Sequence, residues 1–540
     1  MKDMFKFICR FSPGIILILF SLLSCETTEL KLQDSPSQLT VPAAEANFVL
    51  NGIQLNMARQ HVNLSSITNR IVRHTNQFGT YASSARTSTM NFAWARAYSI
   101  TSNLNLLEDL STVLNLPNQV GMGQVMEAFA YVNLVDMIGT AVYSEAVNPD
   151  EFPSPNLDSG QSIYDAMYVQ LDEAIENLSA TGSVQPIDIF YNGDMTRWIK
   201  LANTLKLKMY VTSKLSSPNP SAINAIVASG NYIKEEADDF QLYYSKQDVN
   251  PDGRHPFFTS DYITSAGTYQ SNQFMYKLRF EKSIKDPRLP YYFFRQDLRH
   301  PLDIGEELGI GDDLLPCVNF NYDYCYIGDG YWGRDHGDDE GIPNDGVYRT
   351  AYGIYPGGGA YDTGNNNAPT VEVNSHLRGA GIHPMLTASF VKFMLAEAAL
   401  PAPAGIGTTG NPRTLLEEGI RASMFKVADF SGVPMESAAV NAYVDVVLAD
   451  YDAAANDQER LAIIIDEYYI ALYGNGLEAY NNYRRTGYPD LQASVIAGTA
   501  FPRSFFLPES ELNSNDNPDL VQKSLTDQVF WDTNPAGFID

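Results

Sequence analysis

The chain is poor in the residues and motifs that mark common catalytic and metal sites. Its 540 residues include only 4 cysteines and 7 histidines. The histidines show neither an i,i+4 pair nor a metal-ligand spacing with cysteine, which argues against the usual zinc sites. The sequence also contains no HExxH, GxSxG or GxxxxGK motif. None of these motifs therefore indicates an enzyme.

Positive charge is also scarce. There are 36 lysines and arginines against 64 acidic residues, a formal net charge of −28. Such an acidic surface argues against nucleic acid or an anionic membrane face as the main partner, whereas neutral or cationic ligands remain compatible with it. With 44% hydrophobic and 19% charged residues, the chain is expected to fold.

The N-terminus carries the order of features that is typical of an exported lipoprotein. Basic residues precede an apolar run, Ile15–Phe20, and then comes Leu22-Leu23-Ser24-Cys25. This order predicts a signal peptide over residues 1–24. The final tetrapeptide resembles a bacterial lipobox, so Cys25 is the predicted lipid attachment site and residues 25–43 the predicted anchor and tether. An ordinary cleaved signal with an incidental cysteine is the alternative.

The remainder divides by its hydrophobic pattern. Helical periodicity runs over about 44–230 and 385–490, whereas about 231–384 is rich in Pro, Gly, Asn, Asp and Tyr without a sustained period. Asp194 is predicted to cap the helix that carries Trp198, and Trp94 and Trp198 are predicted to be buried. Further helices are predicted at about 120–137, 161–178, 385–400, 412–428, 436–451 and 457–482. Arg484 and Arg485 follow the last of these, where helix termination and ion pairing are favoured over a ligand role.

The loop-rich part leaves two local questions open. Cys317 and Cys325 could form a disulfide or remain two separate buried thiols. Asp335, Asp338 and Asp339 supply the hard oxygen ligands that Ca²⁺ prefers. Structural calcium is therefore one hypothesis for this segment, and a solvated acidic loop is the other. No cofactor is otherwise expected.

Motifs along nearly the whole chain resemble those of the SusD/RagB family of nutrient-binding lipoproteins of Bacteroidota. The matching segments, in chain order, are Asn91–Trp94, Glu127–Tyr131, Asp136–Gly139, Tyr191–Asp194, Gly333–Gly337, Ile342–Gly346, Leu395–Ala399, Leu472–Gly474, Tyr483–Pro489, Phe501–Arg503 and Leu507–Glu511. Each segment is short, but their order and extent together are specific.

The resemblance implies a mostly α-helical SusD-like domain over residues 44–540. Its tetratricopeptide-like helical scaffold spans about 44–230 and 385–490 and carries a long loop-rich ligand-binding insertion over about 231–384. It also implies a non-enzymatic protein at the surface of the outer membrane. Such a protein captures oligosaccharide, or in some members peptide, for a partner TonB-dependent transporter of the SusC-like type. The alternative from the residues alone is a surface-anchored glycoside hydrolase that uses an unrecognised pair of carboxylates.

A sugar-binding site needs aromatic faces that stack on pyranose rings and planar polar groups that read hydroxyls. Trp332 and Tyr81 are the leading candidates, and Tyr276 is a further one in the insertion. Tyr322, Tyr324 and Tyr326 would share one face if their segment were extended. Core packing is the competing explanation for every one of these positions. The other candidate ligand-binding residues are Tyr331, Arg334, Asn76, Tyr262, Tyr269 and Tyr352.

Replacing Cys25 tests the predicted anchor. In a host that processes lipoproteins, the Cys25→Ala protein should move from the membrane fraction to the soluble fraction, because the lipid is the predicted attachment. Immunoblots of fractionated cells measure this. The Cys9→Ala protein, altered within the predicted signal, should stay with membranes. Retention of Cys25→Ala in the membrane fraction would contradict the prediction.

Overall fold

The structure is a computed structural model that describes residues 46–341, 343–365, 377–498 and 500–539. The predicted signal peptide, Cys25 and the predicted tether lie outside these residues, as do Ile342 and residues 366–376. None of the described helices is long and apolar enough to cross a membrane.

The described chain is mostly helical, as expected from its pattern. The helices are α1 (Ala46–Ile71), α2 (Asn91–Leu114), α3 (Pro117–Ile138), α4 (Gly160–Ser179), α5 (Met195–Thr212), α6 (Pro220–Ser229), α7 (Pro256–Tyr262), α8 (Asn272–Tyr276), α9 (Leu289–Tyr292), α10 (Pro301–Leu308), α11 (Ala388–Ala399), α12 (Pro412–Ser431), α13 (Ser437–Ala453), α14 (Asp457–Ala471), α15 (Gly476–Thr486) and α16 (Glu509–Ser514).

Local sequence sets where several of these helices begin and end. The Asp194 carboxylate accepts hydrogen bonds from the backbone N–H groups of Thr196 (3.0 Å) and Arg197 (3.4 Å), which confirms the predicted cap of α5. The Ser159 hydroxyl caps α4 in the same way. Helix α3 starts with a proline in its first turn, and Gly139, whose φ of 91° favours glycine, follows its last residue.

Six short strands form three antiparallel pairs among the described residues. They are β1 (Thr140–Ala141), β2 (Asp158–Ser159), β3 (Phe240–Tyr243), β4 (Phe293–Phe294), β5 (Ala351–Tyr352) and β6 (Ile382–Leu386). β1 pairs with β2, β4 with β5, and β3 with β6. In the last pair Phe240 lies opposite Leu386 and Tyr243 opposite Ile382. The two ends of the loop-rich region are therefore hydrogen-bonded to each other.

The core is built where helices pack side by side. α1 packs on α2, α3 on α4, α11 on α12, and α15 returns to pack on α1. Helix α11 is buried on nearly every side, as its uniformly apolar sequence predicts. Trp94 and Trp198 are both buried, which confirms their predicted core positions.

The predicted single helix over 457–482 is wrong, because the structure has two helices there. α14 ends at Ala471 and α15 begins at Gly476. Gly474 lies between them with a φ of 100°, a conformation that glycine adopts readily. The Asn475 side chain then caps α15 by accepting from the backbone N–H of Glu478 (3.3 Å). Apolar residues continue through the break, so the periodicity alone hides it.

The carboxylate of Asp136 on α3 is fully buried and collects donors from distant parts of the chain. It accepts from the Tyr164 hydroxyl (2.6 Å), Lys208 Nζ (2.9 Å), Asn481 Nδ2 (2.8 Å) and Trp531 Nε1 (3.0 Å). These donors lie on α4, on α5, on α15 and in the C-terminal segment. A buried charge is tolerated only when its oxygens are satisfied, so this cluster joins four parts of the chain to α3.

A second buried cluster surrounds Glu397 on α11. Its carboxylate accepts both a bidentate contact from Arg485 (2.8 and 2.9 Å) and an ion pair from Lys214 (2.9 Å). This confirms ion pairing as the role of Arg485. Burial raises the pKa of Glu397, but the two cations outweigh it and lower the pKa to about 2.

Replacing Glu397 tests how much this cluster matters. The Glu397→Gln protein should lose about 3–5 kcal/mol in free energy of unfolding, because Arg485 and Lys214 would remain buried without their counter-charge. Urea denaturation at pH 7 measures the loss. The exposed pair of Lys392 and Glu418 gives the control: Glu418→Gln should cost less than about 1 kcal/mol.

The difference in stability between the parent and Glu397→Gln proteins should depend on pH in a defined direction. The lowered pKa of Glu397 stabilises the fold above the unfolded value of 4.5, and this contribution is lost as pH falls toward about 2. The stability gap between the parent and Glu397→Gln proteins should therefore narrow over this interval. A gap that stays constant down to the lowest pH at which the parent remains folded would contradict this assignment.

Candidate functional site

Trp332 and Tyr331 are buried within the insertion. Trp332 is only 1% exposed and packs in a cluster with Ile304, Leu314 and Cys317. Its backbone N–H donates to the Thr350 hydroxyl (3.0 Å). Tyr331 is also 1% exposed, and the Arg295 guanidinium lies 4.6 Å from its ring centroid. In this structure neither side chain presents a ring face to solvent.

Arg334 and Tyr269 come together in a different cluster. The Arg334 guanidinium lies 4.6 Å from the Tyr269 ring centroid and donates to the backbone carbonyls of Glu340 and Gly341. The Tyr269 hydroxyl donates to the Asp345 carboxylate (2.8 Å), and burial together with this carboxylate raises the tyrosine pKa to about 12. Both side chains are buried, and the contacts described are with other residues of the protein.

Asn76 and Tyr81 follow α1 and are buried as well. Both polar atoms of the Asn76 side chain are enclosed without a hydrogen-bond partner among the described residues. The Tyr81 hydroxyl accepts from Arg73 Nη2 (2.7 Å), and its ring packs edge-to-face on Phe501 at 5.4 Å. Tyr81 also lines a surface cleft of about 360 Å³ formed with the C-terminal segment.

Tyr262 and Tyr352 are joined directly. The Tyr262 hydroxyl donates to the backbone carbonyl of Tyr352 (2.5 Å), and the backbone N–H of Tyr352 donates to the Asp261 carboxylate (3.0 Å). The Tyr352 ring stacks on Phe257 with centroids 4.0 Å apart and planes 7° apart. Of this pair, Tyr352 lines a cavity of about 260 Å³.

The three aspartates of the calcium hypothesis do not share one point in space. Asp335 accepts from Asn272 Nδ2 (2.7 Å) and Gln492 Nε2 (3.0 Å), whereas Asp338 faces Arg334 at 3.5 Å and Asp339 is exposed. Burial raises the pKa of Asp338. Across the described ranges, no group of three His, Cys, Asp or Glu side chains is arranged to hold a metal ion. Calcium binding stays a prediction from the sequence.

Cys317 and Cys325 form a disulfide, with Cα atoms 5.6 Å apart. The segment that it closes is not an extended strand, so the condition under which its three tyrosines would share one face is not met. Tyr322 and Tyr326 pack against the buried cluster around Trp332. Tyr324 turns elsewhere and contacts Tyr276, with ring centroids 5.0 Å apart.

That contact belongs to an exposed aromatic surface, which we define as Tyr276, Phe280 and Tyr324. Tyr276 and Phe280 are 37% and 38% exposed, and their ring centroids lie 5.9 Å apart. The Arg279 guanidinium lies 4.3 Å from the Phe280 ring and is held by the Asp329 carboxylate. The surface therefore combines partly exposed aromatic rings with an adjacent pair of charged hydrogen-bonding groups.

Sequence reasoning identified part of this surface and missed the rest. The sequence predicts Tyr276 and Tyr324 as candidates, behind Trp332 and Tyr81. It does not single out Phe280. A signal for it was present, because Tyr276 and Phe280 are four residues apart and would neighbour each other on one helical turn. The chain indeed forms a short wide-turn helix over Lys277–Glu281.

The burial of Trp332 predicts that its side chain contributes to the stability of the fold. The Trp332→Ala protein should lose about 3–5 kcal/mol in stability, because a large buried side chain would leave a cavity. Phe320→Ala provides the control, since Phe320 is an aromatic residue of the same region that is 46% exposed; it should cost well under 1 kcal/mol. Denaturant titration separates them, and equal effects would contradict the buried role.

Comparisons with known proteins agree with this fold. The model of a family described as "Starch-binding associating with outer membrane" matches residues 36–321 and 343–508. None of the curated proteins compared with the chain matches it.

Several solved structures are similar over nearly the whole chain. A SusD homologue from Bacteroides fragilis shares 22% identity over 86% of this chain and 93% of its own, with a TM-score of 0.61. A SusD/RagB family protein from Bacteroides thetaiotaomicron shares 19% identity over 91% and 100%, with a TM-score of 0.67. A chitin-binding SusD homologue from Flavobacterium johnsoniae shares 19% identity over 91% and 99%, with a TM-score of 0.62.

At these identities the solved structures establish the shared fold, while the family model spans most of the chain. The helical scaffold, the loop-rich insertion and the ordered motifs all agree with that match. The chain belongs to the SusD-like family.

Proposed function

We propose that this protein is a lipid-anchored binding protein at the outer surface of the outer membrane. It captures an oligosaccharide at the aromatic surface and delivers it to a partner TonB-dependent transporter. It acts by binding and not by catalysis.

The exposed aromatic surface is the single observation that carries the binding proposal. A pyranose ring has an apolar face of C–H groups that packs well on aromatic rings, and its hydroxyls need nearby polar partners. Tyr276, Phe280 and Tyr324 offer the ring faces, while Arg279 and Asp329 stand at the edge. Two similar solved structures are chitin-binding proteins, which supports carbohydrate over peptide as the ligand class.

Two fixed points hold this surface in place. The disulfide between Cys317 and Cys325 closes the segment that carries Tyr324. The backbone N–H of Tyr324 also donates to the buried carboxylate of Asp335 (3.0 Å). Ligand-binding rings that are already ordered lose less conformational entropy on binding than mobile ones do.

Family membership and the N-terminal sequence support the location and the partner. The family description names association with the outer membrane, and Cys25 supplies a predicted lipid attachment point. The acidic body, with a net charge of −28, favours a water-exposed position over an anionic lipid face.

A binding screen with ring-deleted variants tests the proposal. The soluble domain without the predicted signal and anchor is screened against oligosaccharides, and isothermal titration calorimetry then measures Kd for each hit. Tyr276→Ala and Tyr324→Ala should each weaken binding about tenfold, because each removes one stacking face.

Phe425→Ala provides the matched control, since Phe425 is 47% exposed but lies on α12, outside the aromatic surface. It should leave Kd unchanged. Thermal melts confirm that all variants are folded. Equal affinity of the parent, Tyr276→Ala and Tyr324→Ala proteins for every hit would contradict the assigned surface, and release of reducing ends from the same oligosaccharides would favour the hydrolase alternative.

A further inference from the structure

A separate cavity of about 260 Å³ lies against the C-terminal half of α1. Ser65, Ser66, Asn69 and Arg70 line it from the helix, and their spacing places them on one helical face. The opposite wall comes from the loop-rich insertion, chiefly from α7 and β5. The cavity shares no residue with the aromatic surface.

The insertion wall presents the stacked rings of Phe257 and Tyr352, 4.0 Å apart. The backbone of Tyr352 is fixed by two hydrogen bonds. Its carbonyl accepts from the Tyr262 hydroxyl, and its N–H donates to the Asp261 carboxylate. Phe257 follows His255, whose Nδ1 accepts from the Phe257 backbone N–H (3.0 Å). Tyr352 is 4% exposed and lies behind the half-buried Phe257 ring, so Phe257 is the apolar ring of this wall that is open to the C–H side of a sugar.

The α1 wall offers hydrogen-bonding groups and one cation without a counter-charge. Arg70 is exposed, and its side chain forms no ion pair or hydrogen bond with another described residue, although the protein has 64 acidic side chains. Burial of the guanidinium lowers the Arg70 pKa, Tyr352 raises it, and the nearby charge of Arg86 lowers it further. A basic residue near a helix C-terminus is favoured by the helix dipole, but the dipole does not explain why it lines a cavity.

These features select a ligand chemistry. A guanidinium presents parallel N–H donors that match a carboxylate, and an unpaired arginine in an acidic protein raises the local affinity for an anion. Next to it stand an aromatic wall and the exposed hydroxyl of Ser66, whereas the buried Ser65 hydroxyl is already paired with the backbone of Gly474 and Gly476. A ring that carries a carboxylate and hydroxyl groups satisfies all three.

We infer that this cavity binds a uronic acid unit of the captured oligosaccharide, with Arg70 on its carboxylate and Phe257, backed by Tyr352, on its ring. The inference rests on the proposed function and narrows its substrate class to acidic glycans.

Titrations with matched acidic and neutral sugars test the inference. The probes are oligomers of galacturonic, glucuronic and mannuronic acid, together with the neutral galactose, glucose and mannose oligomers of equal length. At least one uronic oligomer should bind tighter than its neutral counterpart. Arg70→Gln should weaken that binding about tenfold to a hundredfold while leaving any neutral oligomer unaffected. Arg70→Lys should keep part of the affinity, because it keeps the charge.

Arg413→Gln is the matched control, since Arg413 pairs with Asp452 on an exposed face between α12 and α13. It should bind like the parent, which separates a local contact from the loss of one positive charge. Acetate alone at the same carboxylate concentration should not compete, because it lacks the ring.

The outcomes distinguish this inference from the proposed function. Neutral oligomers that bind at the aromatic surface, with no preference for any uronic oligomer, would overturn the inference and leave the proposed function standing. Uronic binding that is unchanged in Arg70→Gln but lost in Tyr276→Ala would do the same. Failure of every oligosaccharide to bind would count against both.

Discussion

The buried carboxylate of Asp136 is the constraint around which the scaffold is organised. It is satisfied only when Tyr164, Lys208, Asn481 and Trp531 all reach it, and these residues span almost 400 positions of sequence, from 136 to 531. Because an unpaired buried charge costs several kcal/mol, the packing of α3, α4, α5 and α15 is coupled through this one group. The early helices and the C-terminal segment therefore form one cooperative structure.

The Glu397 cluster extends the same principle to α11, through Arg485 on α15 and Lys214 after α5. Between these helices the chain leaves the scaffold at β3 and returns at β6, which pair with each other. The insertion is thus attached at both ends to a rigid base. Such an arrangement lets loops carry binding groups without losing their positions, which is how loop-built sites usually work.

Much of the fold follows from local pattern. Apolar spacing identified α4 and α11, and Asp194 marked the start of α5, because a helix must bury one face and satisfy its first N–H groups. The break between α14 and α15 was missed, since apolar residues continue across Gly474 and hide the change of direction. Residue type alone selects the binding candidates, and residue type does not reveal how exposed a side chain is. Trp332 and Tyr276 lie in similar Tyr-rich sequence, yet one is 1% and the other 37% exposed.

By itself the sequence determined the helical class, the family resemblance, the loop-rich insertion and the predicted lipid anchor, because these depend on composition, periodicity and short motifs. Tertiary structure decided which aromatic rings are open, that Cys317 pairs with Cys325, and that Arg70 lines a cavity without a carboxylate partner. The physical reason is that exposure and pairing depend on contacts between residues far apart in the chain. In an insertion without sustained helical or strand periodicity, no local pattern shows which way a side chain faces.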